Sequence, residues 1–262
     1  MTDTKAPKSE LALRIAVGAV LIIVAVAEIW FGGIAFWVLA TLAGIIMVSE
    51  FAGLMKVSDQ HRRMAMFAMC IPLGILSPLA AGPDFFAIGL IFGMAVAVAI
   101  VARNAALGAG LIYVGLPVFA LLWLREQPEN GLVLTFWALS LVWATDIGAF
   151  FAGRAIGGPK IAPAISPSKT WAGLIGGMTT ATLLAVAFQA WFELPKALVL
   201  ATPLLAVAAQ VGDFFESWLK RRAGVKDSGT LLPGHGGALD RLDGVVTAVP
   251  LAALLVALGL AA

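Results

Sequence analysis

Apolar runs of about twenty residues recur along the chain, separated by short polar or Gly/Pro-containing segments. A helix crossing a bilayer needs ~20 such residues. The pattern predicts spans at about Leu11–Ile29, Gly33–Ser49, Met64–Ala81, Phe85–Ala102, Ala105–Leu124, Leu132–Phe151 and Ala172–Trp191. Another runs from near Ala197 past Asp213 toward Lys220, and a last one over Gly244–Ala262. Trp30, Phe31 and Gly32 form the tight turn after the first span. A polar loop holds Lys56, Asp59, His61, Arg62 and Arg63, and another runs from Arg125 to Asn130. Between the sixth and seventh spans, the glycines and prolines of residues 153–167 rule out a continuous helix. The expected class is therefore all-α, a polytopic membrane protein with about nine spans. Residues 1–262 form a single membrane domain, with N-terminal helices to 130 and the chemistry-bearing helices and loops from 131.

Composition agrees with this class. The 262 residues are 61% hydrophobic and 12% charged, and a net charge of +2 gives no basis for nucleic-acid binding. The one cysteine, Cys70, forms no internal disulfide and reads as a structural thiol in a helix. The N-terminus reads as a polar tail before a retained helix. With the N-terminus in the cytoplasm, every Lys and Arg except Arg125 and Lys196 falls on the cytoplasmic side. That bias supports nine spans in the inner membrane, with the polar segments of the C-terminal half facing the cytoplasm.

Charge concentrates in Gln210–Asp243. Asp213 and Glu216 are three apart, as are Asp240 and Asp243, so on a helix each pair shares a face. Gathering acids beside an apolar domain is costly unless a cation offsets them, and oxygen-only ligands suit Mg²⁺. Between the pairs lies Pro233-Gly234-His235-Gly236-Gly237, where glycine allows close backbone approach to a ligand. Lys220, Arg221, Lys226 and Arg241 match phosphate, and also fit positive-inside anchors. Asp240 and Asp243 fit helix-capping acids as well as ligands. His235 fits a general base, a phosphate ligand or a structural histidine.

This stretch resembles the signature of the CDP-diacylglycerol synthases, the phosphatidate cytidylyltransferases. Ser217, Leu219, Lys220, Arg221, Lys226, Asp227, Gly229, Leu232, Pro233, His235, Gly236, Gly237, Asp240, Arg241 and Asp243 fall in register with it, and Ala238 departs from a larger aliphatic residue. Upstream, Asp146 and Gly148 precede Ser166-Pro167-Ser168-Lys169-Thr170-Trp171, again as in that family, although Ala172 stands where the family carries Glu. Glu50 is a weak candidate to supply the missing acid.

The resemblance implies cytidylyl transfer from CTP to phosphatidate at a site facing the cytoplasm. It implies that Asp213, Asp240 and Asp243 hold Mg²⁺, with room for a second cation, and that Lys226, Asp227 and His235 join the catalytic set. Asp146, Ser166, Lys169, Ser217, Lys220, Arg221, Gly236, Gly237 and Arg241 are the expected substrate-binding residues. Membrane lipids are the expected surroundings, and the chain allows a homodimer. An ion-coupled transporter shares intramembrane acids and Gly/Pro-broken helices, but the chain shows no convincing internal repeat. A prenyl-lipid cytidylyltransferase would differ only in its lipid.

Overall fold

The computed structural model describes residue 20 and residues 23–230 and 236–260. Helix α1 covers 23–31. It is followed by α2 (Gly33–Leu54), α3 (Asp59–Ile75), α4 (Phe85–Val101), α5 (Ala105–Arg125) and α6 (Gly131–Ala155). A hairpin of β1 (Lys160–Ala162) and β2 (Ser166–Thr170) leads to α7 (Trp171–Phe192), α8 (Lys196–Ala223) and α9 (Leu239–Leu255), which ends in a π-helical turn, Val256–Leu260. The expected all-α class holds, with this one antiparallel hairpin added.

Six helical runs among the described residues are long and apolar enough to cross a membrane: α2, α5, α6, α7, α8 and Leu239–Leu260. Helix α4 is apolar but has only 17 residues. At 1.5 Å per residue that is about 25 Å, short of a hydrocarbon core of about 30 Å. Helix α3 has the same length and opens on Asp-Gln-His-Arg-Arg.

Helix α3 also departs most from the expected boundaries. Hydropathy places it at Met64–Ala81, yet it starts at Asp59 because Ser58 caps it, accepting a hydrogen bond from the His61 N–H at 3.3 Å. It stops at Ile75, and the chain then turns through Ser77, whose hydroxyl accepts from the Leu79 N–H at 3.2 Å. Pro78 has no N–H to continue a helix. The first turn is also tighter than expected: α1 runs to residue 31 and α2 starts at Gly33, with Gly32 and Gly33 both at positive φ. Arg125 at the end of α5 donates to the carbonyls of Ile29 (2.7 Å) and Trp30 (3.0 Å), so the α1–α2 and α5–α6 turns lie at the same end of the bundle.

Helix α5 is the most enclosed of the candidate spans and α7 the least. Without water to drive helices together, close van der Waals contact between small residues does the work. The α6–α7 pair shows this. A methyl group on Gly148 would strike Thr180 and the Gly176 carbonyl, and one on Gly176 would strike Ala152. Trp30, Trp171 and Trp191 are exposed near helix ends, as expected of interface anchors. Trp137 instead points inward, donating to Thr202 Oγ1 at 3.2 Å. Tyr113 packs between Phe51 and Phe215, with centroids at 5.8 and 5.3 Å. Cys70 lies in α3 but is exposed on its surface.

Candidate active site

A cavity of about 770 Å³ opens where α6, the hairpin, α7, α8 and α9 meet. Its walls carry four acids, Asp146, Asp213, Asp240 and Asp243, and four bases, Arg154, Lys160, Lys169 and Arg241. The helix boundaries bring them there. The apolar pattern ends the sixth span at Phe151, but α6 continues to Ala155, so Arg154 rides on its last turn and reaches the cavity. Likewise α9 begins at Leu239, five residues before the expected Gly244, which places Asp240 and Asp243 in its first turns. Gly212 lets α8 back onto α9: a methyl group there would strike the Asp243 carbonyl and Thr247. Thr247 Oγ1 donates to the Ala208 carbonyl at 2.7 Å and pins the same crossing. Asp213, the next residue on α8, thus shares the cavity with Asp243.

The polar groups are held by one another. Lys169 forms an ion pair with Asp213 and donates to Gln210 Oε1 at 3.0 Å. Gln210 Nε2 donates in turn to Asp146 Oδ1 at 3.4 Å. The Ser217 hydroxyl donates to Asp213 Oδ1 at 3.3 Å. Thr170 caps α7, accepting from the Gly173 N–H at 3.0 Å, and so fixes the hairpin strand that presents Lys169. Ser166 lies at the start of that strand and does not line the cavity.

Lys220 joins the two helices bearing the acid pairs. Its Nζ lies 2.7 Å from Asp240 Oδ1 and 3.3 Å from the fully buried Glu216. Asp240 Oδ2 accepts from the Ser228 N–H (2.8 Å), the Ser228 hydroxyl (2.9 Å) and the Gly237 N–H (2.8 Å). Asp240 is therefore the anchor of the glycine loop as well as a cavity wall. Gly236 adopts φ 80°, a conformation that favours glycine.

Lys226 and Asp227 do not reach this cavity. They line a second one of about 610 Å³ between α2, α3 and residues 226–230, together with Glu50 and Arg62. Arg221 is exposed near the end of α8 and lines neither cavity. His235, with Leu232, Pro233 and Gly234, lies outside the described residues. The cavity also takes in Arg154, which precedes the Ser166–Trp171 segment in the sequence constellation around Asp146, and two groups beyond the expected set, Lys160 and Gln210. Gln210 is only 3% exposed and uncharged, so in the sequence it merges with the apolar run before Asp213. Glu50, the candidate for the acid missing at Ala172, lines the second cavity and not the first.

The donor set is compatible with a hard cation. No cluster of three or more His, Cys, Asp or Glu side chains is arranged to enclose an ion among the described residues. Mg²⁺ does not need such a cage, since it binds through one or two carboxylates, waters and substrate phosphates. Asp213 and Asp243 meet that requirement within one cavity.

Acids and bases facing each other at the end of an apolar bundle suit transfer of a phosphate-containing group at a membrane surface. The chain belongs to the cytidylyltransferase family, whose model matches residues 12–258. Among its relatives is the phosphatidate cytidylyltransferase of Brucella suis biovar 1 (strain 1330), 39% identical over 253 residues, covering 93% of this chain and 92% of that one. The phosphatidate cytidylyltransferase of Bacillus subtilis (strain 168) is 43% identical over 150 residues, 56% of each chain. That of Haemophilus influenzae is 44% identical over 133 residues, 48% of this chain and 46% of its own.

Proposed function

We propose that this cavity transfers the cytidylyl group of CTP to phosphatidate, giving CDP-diacylglycerol and pyrophosphate. The observation that carries the reading is the convergence of four carboxylates and four cations on one cavity in a bundle of apolar helices. An oxygen of the lipid phosphate attacks the α-phosphorus of CTP, and the bond to the bridging oxygen breaks as pyrophosphate leaves. A phosphate monoester is already nucleophilic, so positioning and charge neutralisation dominate over base catalysis. Arg154, Lys160, Lys169 and Arg241 draw the triphosphate in and offset its charge. An arriving phosphate competes with Asp213 for Lys169, and so frees a carboxylate in the cavity. Of the expected ligands, Asp213 and Asp243 would hold Mg²⁺, which when bound screens phosphate charge and polarises the phosphorus, while Asp240, engaged by Lys220, Ser228 and Gly237, would hold the loop and helix beside it.

The site faces the cytoplasm of the inner membrane, with the N-terminus on that side and nine helices crossing, the short α3 and α4 by local thinning of the bilayer. This topology is supported by the placement of all Lys and Arg residues but Arg125 and Lys196. It is also consistent with Arg125 bonding to the α1–α2 turn, since both belong to the outer end in this topology. The exposed apolar side chains of α7 and α8 meet lipid or a second copy of the chain, which native mass in detergent distinguishes.

The test is transfer of label by purified protein in detergent. Label from the α-phosphate of CTP is expected in lipid, and label from the γ-phosphate in pyrophosphate, both only when phosphatidate and Mg²⁺ are present. Folded protein that moves no α-label into lipid over a range of Mg²⁺ and CTP overturns the reading.

A further inference from the structure

Glu50 lies on α2, far from the signature in sequence, and is 6% exposed. Both of its oxygens are used. Oε1 accepts from the Ala238 N–H at 3.0 Å, and Oε2 from the Leu239 N–H at 2.8 Å. These are N–H groups at the start of α9, which have no partner within the helix and favour a negative charge. The Ser228 hydroxyl lies 3.2 Å from Glu50 Oε2 and 2.9 Å from Asp240 Oδ2, so its single proton sits between two carboxylates. Together, Glu50 and Asp240 grip residue 228 at one end of the glycine loop and residues 237–239 at the other.

The glycines record how close this grip is. A methyl group on Gly229 would collide with Glu50, whose atoms are the three nearest to it. One on Gly237 would collide with both Glu50 oxygens and with Ser228 Oγ. Glycine at 229 is thus required by a side chain from the other half of the chain, since the backbone there takes no unusual angle.

We infer that Glu50 is a positioning residue for cytidylyl transfer: it sets the first turn of α9, and through it Asp240 and Asp243, by holding the loop's two ends from α2. This rests on the proposed reaction. A side chain about 1 Å out of place can lower a rate on the order of a hundredfold, so loosening the loop reduces turnover without removing a reacting group. Glutamine is not an adequate substitute. Two N–H groups approach two different oxygens, and an amide has only one oxygen to offer them.

Three measurements on the full-length protein test the inference. Glu50→Gln is expected to lower kcat on the order of ten- to a hundredfold, with a smaller rise in the KM for CTP, because three of the cavity's four cations, Arg154, Lys160 and Lys169, lie on other elements than α9. Amide exchange in peptides covering 228–239 should speed up while α5 keeps its protection and the unfolding midpoint stays in place. Gly229→Ala should be damaging alone but add nothing in a Glu50→Ala background, where the colliding carboxyl is gone. Wild-type kcat with unchanged exchange in Glu50→Gln overturns the inference. So does loss of protection spread over all helices with a lowered midpoint, which would make Glu50 a fold residue only. Equal damage by Gly229→Ala in both backgrounds overturns it too. If the wild-type protein itself transfers no cytidylyl group, the proposed reaction fails, while the exchange measurement still reports on the grip.

Discussion

The cavity lined from α6 to α9 and the smaller one between α2, α3 and residues 226–230 both draw on the signature stretch, yet they are built differently. In the first, helices and a hairpin carry charges that contact one another across elements, as Lys169 does with Asp213 and Lys220 with Asp240. In the second, Lys226 and Asp227 stand exposed on a loop, and the Arg62 guanidinium donates to the Ser49 hydroxyl, at 2.7 and 2.8 Å. The signature is therefore not a single patch. Its acid-bearing helices face one cavity, while its Lys-Asp step faces another. Side chains held on rigid elements by several partners are suited to charge stabilisation in a reaction, because they need no reorganisation.

That contrast can be broken by experiment. The largest effect is expected from Asp213→Asn and Asp240→Asn. Each keeps shape and loses charge, and should lower kcat by about 10³-fold or more with the protein still folded. Chelating divalent cations should abolish transfer as completely, and added Mg²⁺ should restore it. Near-normal label transfer by both variants at limiting Mg²⁺ would remove the acids from the chemistry. Lys169→Met should cost on the order of a hundredfold, read as kcat/KM for CTP, because it removes a cation and leaves Asp213 and Gln210 without their partner.

Lys226→Gln sharpens the comparison between cavities. Its loss should be about tenfold or less, as for an exposed cation outside the main cavity. A loss equal to that of Lys169→Met would mean that the second cavity takes part in the reaction. The smallest effect is expected from Arg222→Gln. Arg222 is exposed and lies over the Trp218 ring at 5.5 Å, and the change should shift stability by no more than about 0.5 kcal/mol, measured by thermal unfolding.

Much of this arrangement was legible, and the failures have physical causes. Helix α8 was expected from Ala197 toward Lys220 and spans Lys196–Ala223, ending at Gly224 with φ 74°. A long apolar run followed by a basic last turn and a glycine marks both ends. Helix α3 was misplaced because hydropathy senses only the apolar part of a helix, whereas Ser58 starts it among charged residues. Asp146, Lys169, Asp213, Asp240, Arg241 and Asp243 were expected at the site and do line one cavity. Gln210 was missed because an amide carries no charge signal within an apolar run. Glu50 drew notice only through the family's absent Glu at Ala172, since nothing local links α2 to a loop some 180 residues later. Its one trace in the sequence is indirect, in the glycines at 229 and 237.

The contact between α6 and α7 bears on how the protein meets its surroundings. With Gly148 against Gly176 and Gly177 against the Thr145 carbonyl, the two helices touch almost backbone to backbone. They cannot slide past one another without collision. A bilayer that thickens or thins tilts individual helices to restore the match, but this pair must tilt as one beam. Asp146 and Arg154 sit on α6, and Lys169 sits two residues before α7. Their spacing is thus insulated from membrane thickness, and turnover in vesicles of short-chain and long-chain lipids should differ less than the tilt of the pair does.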